Sequence, residues 1–192
     1  MYLDIGCFEP VTFSNTYFFY LRGWVGLVVD PNPSLGSLFQ KIRPKDTFVN
    51  KGIGAEAGIL KYYRLPQKMS SMNTFDYSFL EQNGLVKYIE SEIDIPITTM
   101  KEIVEEFGNA HKLDILDVDV EGLDLEVLQS NDWEYFRPKL VMVETDSSIE
   151  EDLGGEVYNY MVSKEYSLIS KLVQSSSGAG NLVFIKNEFK LK

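Results

Sequence analysis

Acidic residues end several of the apolar runs in this chain, and acids placed in that way can do chemistry together. Asp119 and Glu121 end a leucine-rich and β-branched run that begins at Leu113. Gly122 follows, and Leu125 and Leu128 then resume with helical spacing. Asp30 ends the run 24–29, and Glu144 ends the run 139–144. A carboxylate can take the proton of a reacting hydroxyl, orient that hydroxyl, or attract a cation. Clustered carboxylates raise one another's pKa, which brings a base toward neutrality. Acids are also favoured singly at helix starts, where the helix dipole attracts them. Asp119, Glu121 and Glu144 are the catalytic candidates, provided that the runs carrying them lie on one edge of a sheet.

The elements needed to position them are legible. Tyr2–Ile5 reads as a strand ending in Gly6, and a loop with Pro10 follows. Ser14 can cap a helix over 15–22, which Gly23 ends. A second strand runs over 24–29, a helix over 35–42 and a short strand over Thr47–Val49. Strand, helix, strand, helix, strand with short connections is the pattern of a Rossmann-like, doubly wound, mostly parallel sheet in a three-layer α/β/α arrangement. Residues 52–64 read as a hairpin turning at 55–58. A polar loop over 66–75, a helix over 75–82, a strand over 93–97 and a helix over Met100–Phe107 capped by Thr98 or Thr99 follow. Beyond Glu144 come a helix over 151–163 and strands over 166–172 and 182–186. Only a turn joins those last two strands. They must pair antiparallel, because a parallel crossover needs about a dozen residues or more.

Composition excludes several classes. At 192 residues the chain fits one domain, 1–192. A formal charge of −11 repels phosphate backbones and anionic membrane surfaces, so nucleic acid is not the partner. No run is long enough to span a membrane, and the N-terminus has no basic-then-apolar signal pattern. The single cysteine, Cys7, rules out an internal disulfide and suits a reducing compartment, so the cytoplasm is the expected location. The chain opens almost directly on a strand, which suits either a minimal version of its fold or the loss of an upstream piece.

In open α/β sheets the ligand lies outside the carboxyl ends of the strands. Gly6 permits close backbone approach there, and the helix start near Asn15 offers N–H groups to an anion. Asp30 is placed to accept both hydroxyls of a ribose. NAD and S-adenosylmethionine both suit this layout. The loop Cys7-Phe8-Glu9-Pro10 has no further glycine to pass a pyrophosphate, and a terminal antiparallel hairpin is the arrangement of S-adenosylmethionine-dependent methyltransferases.

The chain resembles the FkbM-type methyltransferase family along nearly its whole length. The matching segments are Leu3-Asp4-Ile5-Gly6, Phe13-Ser14-Asn15-Thr16-Tyr17, Val29-Asp30-Pro31-Asn32-Pro33, Asn50-Lys51-Gly52-Ile53, Met72-Asn73-Thr74-Phe75, Asp117-Val118-Asp119-Val120-Glu121-Gly122 and Val143-Glu144. It departs at Asp117, where many members carry lysine. The resemblance implies a class I methyltransferase fold and S-adenosylmethionine-dependent O-methylation, with a hydroxyl of a sugar, glycan or related natural product as acceptor. It also implies roles. Asp4 and Gly6 would line the methionine end of the cofactor, Asp30 would hold the ribose, and Asn32 would shape that pocket. Gly52 and Ile53 would border the adenine, while Asp119 and Glu121 would face the methyl group and acceptor. Ser14, Asn15, Pro31 and Asn73 complete the expected cofactor-binding set.

Other readings stay open at this stage. A degenerate cofactor-binding module without catalysis is one, and an NAD-type oxidoreductase is another. Three carboxylates with Asn73 nearby would suit a hard divalent cation, but spacing alone does not define a coordination shell, and no metal is expected. His111, the only histidine, precedes its strand and lies at the wrong end of the sheet for catalysis. Cys7 reads as a small buried residue.

Overall fold

The computed structural model describes residues 1–176 and 178–189. Its central feature is a seven-stranded sheet built on apolar runs. The strands β1 (Tyr2–Ile5) and β2 (Gly26–Val29) pair in parallel, and β3 (Thr47–Val49) extends that edge. On the other side β1 pairs with β7 (Ile115–Val118), which pairs with β8 (Leu140–Thr145), again in parallel. The sheet closes with β9 (Tyr166–Val173) and β10 (Gly180–Lys186), and the strand order is β3-β2-β1-β7-β8-β10-β9. As the short connection requires, β10 is antiparallel to both β8 and β9.

Side-chain alternation divides the core into two layers. Leu3, Ile5, Val29, Val118 and Val143 pack on one face with α4 (Met100–Phe107), α5 (Asp124–Gln129) and α7 (Glu156–Ser163). Tyr2, Val28, Ile115 and Met142 pack on the other face with α1 (Tyr17–Leu21) and α2 (Gly36–Ile42). Strands buried on both faces read as near-continuous apolar runs, which is why β1, β2 and β7 are legible in the sequence. No described helix is long and apolar enough to cross a membrane.

Three elements differ from expectation. Residues 52–64 do not form a hairpin. β4 (Gly52–Ile53) and β5 (Gly58–Arg64) lie on either side of β6 (Ser91–Thr98) in a separate three-stranded sheet, parallel to it and antiparallel to it respectively. The cause is the alternation Ile93, Ile95, Ile97 in β6, which packs with Tyr62 and Phe75 in a small satellite core. A β4–β5 hairpin would leave that strand without ladder partners. The helix expected over 15–22 starts at Tyr17, because Asn15 is drawn off to Asp117 (Nδ2 to Oδ1, 3.2 Å). The helix expected over 151–163 is broken by Gly154, at φ 96°, into α6 (Ile149–Asp152) and α7. The remaining helix, α3 (Tyr77–Gln82), is capped by Asp76, whose side chain accepts from the Ser78 N–H at 2.7 Å. Thr99 rather than Thr98 caps α4, in a capping box with Glu102, and Thr98 donates its hydroxyl to the same glutamate.

Candidate active site

Register aligns the site. The row Val29, Ile5, Val118, Val143 and Leu182 crosses five adjacent strands and is buried. One residue further toward the carboxyl edge, the same register brings Asp30, Gly6, Asp119, Glu144 and Asn181 into line. The Asp119 N–H bonds Ile5 O at 3.0 Å, the Gly6 N–H bonds Val29 O at 2.9 Å, and Asn181 pairs directly with Glu144. Residues far apart in sequence thus form one transverse row, and it lines a cavity of about 250 Å³.

All of the site residues expected from sequence line that cavity: Asp4, Gly6, Ser14, Asn15, Asp30, Pro31, Asn32, Gly52, Ile53, Asn73, Asp119, Glu121 and Glu144. Their detailed positions differ. Gly6, at φ 80°, is a glycine because the backbone of β7 crosses it: a Cβ there would lie 1.7 Å from the Asp119 carbonyl oxygen. The close approach is strand end to strand end. Asp30 is buried and accepts from the Phe8 N–H at 3.0 Å and the Asn32 N–H at 2.7 Å, so it holds both loops around the cavity. Burial pushes its carboxyl up to about 7, against the lowering effect of those two N–H groups. The Asn32 amide oxygen accepts from the Ser34 N–H and hydroxyl at 3.1 and 2.7 Å. Asn73 Oδ1 accepts from the Leu65 N–H at 2.8 Å and pins the loop beside the cavity.

Ser14 and Asp4 belong to a buried network centred on Arg43, which is fully buried. The guanidinium pairs with Asp46 at 2.7 Å and donates to Tyr2 Oη at 2.9 Å and to Thr16 Oγ1 and Ser14 Oγ at 3.0 Å each. Thr16 donates its hydroxyl to Asp4. Burial raises the Asp4 carboxyl to about 6, while the Thr16 bond and Arg43 oppose the shift. Asp117 sits beside Asp4 in register and is itself raised, first by burial and next by that neighbour. The Ser14 oxygen also accepts from the Tyr17 N–H at 3.1 Å, so that donor at the start of α1 is taken.

Asp119, Glu121 and Glu144 each bring a carboxylate oxygen within 4.8 Å of the other two, and all three are half-buried. None forms an ion pair with a lysine or arginine among the described residues. Burial, then the hydrogen bond and charge of Glu144, hold the Asp119 carboxyl far above the usual range. Burial and the acids Glu144, Asp146 and Asp124 push Glu121 up to about 8. Glu121 adopts a left-handed φ of 54°, uncommon for a non-glycine residue. The Asp124 carboxylate fixes that turn by accepting from the N–H groups of Val120 and Gly122 at 3.1 and 3.3 Å. His111 is exposed in the turn before β7 and does not line the cavity, and Cys7 is buried at its wall.

Sequence reasoning missed Arg43, Tyr62 and Asn181. Tyr62 follows from the misread hairpin. Arg43 follows a helix and reads as a surface base. Asn181 closes a Ser/Gly-rich turn and carries no local signal.

The sequence matches the methyltransferase FkbM domain over residues 4–168. The chain belongs to the FkbM methyltransferase family. Among solved structures it is similar to the methyltransferase FkbM from Methylobacillus flagellatus KT, at 13% identity and a TM-score of 0.58, over 95% of this chain and 42% of that one. The chain therefore spans less than half the length of that protein. At this identity the likeness bears on the fold, which is the mostly parallel sheet with its antiparallel terminal hairpin. No curated protein sequence matches the chain significantly.

Proposed function

We propose that the protein transfers a methyl group from S-adenosylmethionine to a hydroxyl of a sugar, glycan or related natural product. The observation carrying this reading is the single row Asp30, Gly6, Asp119 and Glu144 along one cavity at the carboxyl edge of a methyltransferase sheet. The residues present fit the cofactor. Asp30 is anchored by two backbone N–H groups at the end of β2, where an acid meets a ribose, and Ile53 and Tyr62 supply apolar wall. The uncompensated acids complement a cation. S-adenosylmethionine supplies an electrophilic methyl on a sulfonium.

The residues of the chain do the rest. In the metal-free protein burial and Glu144 raise the Asp119 carboxyl, and the hydrogen bond between the two acids lets the pair orient an acceptor oxygen as a unit. Glu121, held to about 8, is the better matched base for the acceptor proton, although Asp119 stands first by position alone. Phe8 and Phe75 add apolar wall to the cavity.

Calorimetry with S-adenosylhomocysteine tests the reading. Saturable binding is expected in the intact protein, with a loss of about 10²-fold or more in Asp30→Ala, as for two charged hydrogen bonds. Absence of binding, or Asp30→Ala indistinguishable from the parent, overturns it. Turnover of an acceptor hydroxyl separates an enzyme from a binding module.

A further inference from the structure

Asn181 is 2% exposed, and its Oδ1 has no hydrogen-bond partner among the described residues. Nearly all buried amide oxygens in proteins have a donor, and leaving one bare is costly. Asn181 lines the cavity and stands opposite Glu144 in the β8–β10 ladder, at the end of the row that carries Asp119. Directly paired residues place their side chains on the same face. The Asn181 amide thus lies on the face of the sheet that carries Glu144, in the cavity lined by three carboxylates that each bring one oxygen within 4.8 Å of the others. Asn73 does not serve in this way, because its Oδ1 is held by the Leu65 N–H.

We propose that Asp119, Glu121, Glu144 and Asn181 form a site for one hard divalent cation such as Mg²⁺ or Mn²⁺. The donor set is all oxygen, with no histidine or thiolate, which selects such ions over zinc or copper. A cation meets two demands left open in the cofactor-free protein. It compensates half-buried carboxylates that have no basic partner among the described residues, and it satisfies an amide oxygen that has no donor among them. Magnesium retains several waters when bound by a few carboxylates, and the open cavity provides room for them. Each carboxylate commits one oxygen to the shared point, which leaves its second oxygen for an acceptor.

The test is titration of the metal-stripped chain with Mn²⁺, followed by the electron paramagnetic resonance signal of the free ion. One Mn²⁺ per chain is expected, displaced by excess Mg²⁺. Asn181→Leu and Glu144→Gln are each expected to weaken binding at least tenfold, and Asn181→Asp to retain it. Glu151→Gln, in the neighbouring acidic groove, is the control that leaves it unchanged. Far-UV circular dichroism checks folding, and if Asn181→Leu fails to fold, Glu144→Gln carries the comparison. No saturable binding overturns the proposal, as does undiminished affinity in the folded Asn181→Leu or Glu144→Gln protein. S-adenosylhomocysteine calorimetry in EDTA keeps the two readings apart. Cofactor binding without Mn²⁺ binding sinks only the metal site, and Mn²⁺ binding without cofactor binding sinks only the methyltransferase reading.

Discussion

Replacing Glu144 by glutamine is expected to stabilise the metal-free and cofactor-free protein at pH 8 and to change it little at pH 5. Glu121 is held to about 8 by burial first and by Glu144 next. A carboxyl whose folded pKa is raised contributes stability that is fully present below its unfolded value, about 4.3, and lost as pH rises through about 8. At pH 5 Glu121 carries its proton and repels nothing. At pH 8 about half of it is ionised beside Glu144, with one oxygen of each within 4.8 Å. At an effective dielectric constant of about 20, two full charges at that distance repel by roughly 3.5 kcal/mol. Half ionisation and solvent screening reduce this to about 1–2 kcal/mol. Glutamine removes the charge and keeps an oxygen that can accept the Asp119 proton. With a urea slope of about 2 kcal/mol per molar, the midpoint is expected to rise by roughly 0.5–1 M at pH 8. Urea unfolding at the two pH values, in EDTA, is the assay. A lower midpoint at pH 8, or an equal shift at both, would refute the view that the acid cluster is held against its own repulsion.

Three further outcomes are expected. The parent protein loses stability between pH 5 and 8, because Asp30 and Asp124, both raised to about 7 by burial, and Glu121 all favour the folded state only while protonated; a flat thermal midpoint over that range would contradict the burial argument. Gly6→Ala is expected to lose about 3 kcal/mol or more in urea unfolding, since its Cβ would meet the Asp119 carbonyl at 1.7 Å and its φ is 80°. Arg43→Met is expected to cost about 3–5 kcal/mol by leaving Asp46 buried without its partner, and to weaken S-adenosylhomocysteine binding through Ser14 and Asp4.

What the sequence made legible was the sheet and its carboxyl edge. Apolar runs ending in Asp30, Gly6, Asp119 and Glu144 mark strand ends whatever lies between them, and a turn too short for a crossover forces β9 and β10 antiparallel. The layout of β4, β5 and β6 was not legible. Periodicity identifies strands but does not say which one lies between the others. Arg43 was hidden because its partners Tyr2, Ser14 and Thr16 lie 41, 29 and 27 residues away. Asn181 was hidden because its meaning depends on register with Glu144, which only the assembled sheet supplies. Gly6 reads from sequence as a point of close approach for a ligand, whereas the group that crowds it in the fold is the carbonyl of Asp119.

We propose that one row across the sheet holds both cofactor and acceptor. A crystal structure of the chain with S-adenosylhomocysteine tests it most directly. The account predicts the ribose hydroxyls on Asp30, the adenine against Ile53, and the sulfur facing Asp119, Glu121 and Glu144. A cofactor bound away from Asp30, or bound with its adenine among those three acids, would contradict it.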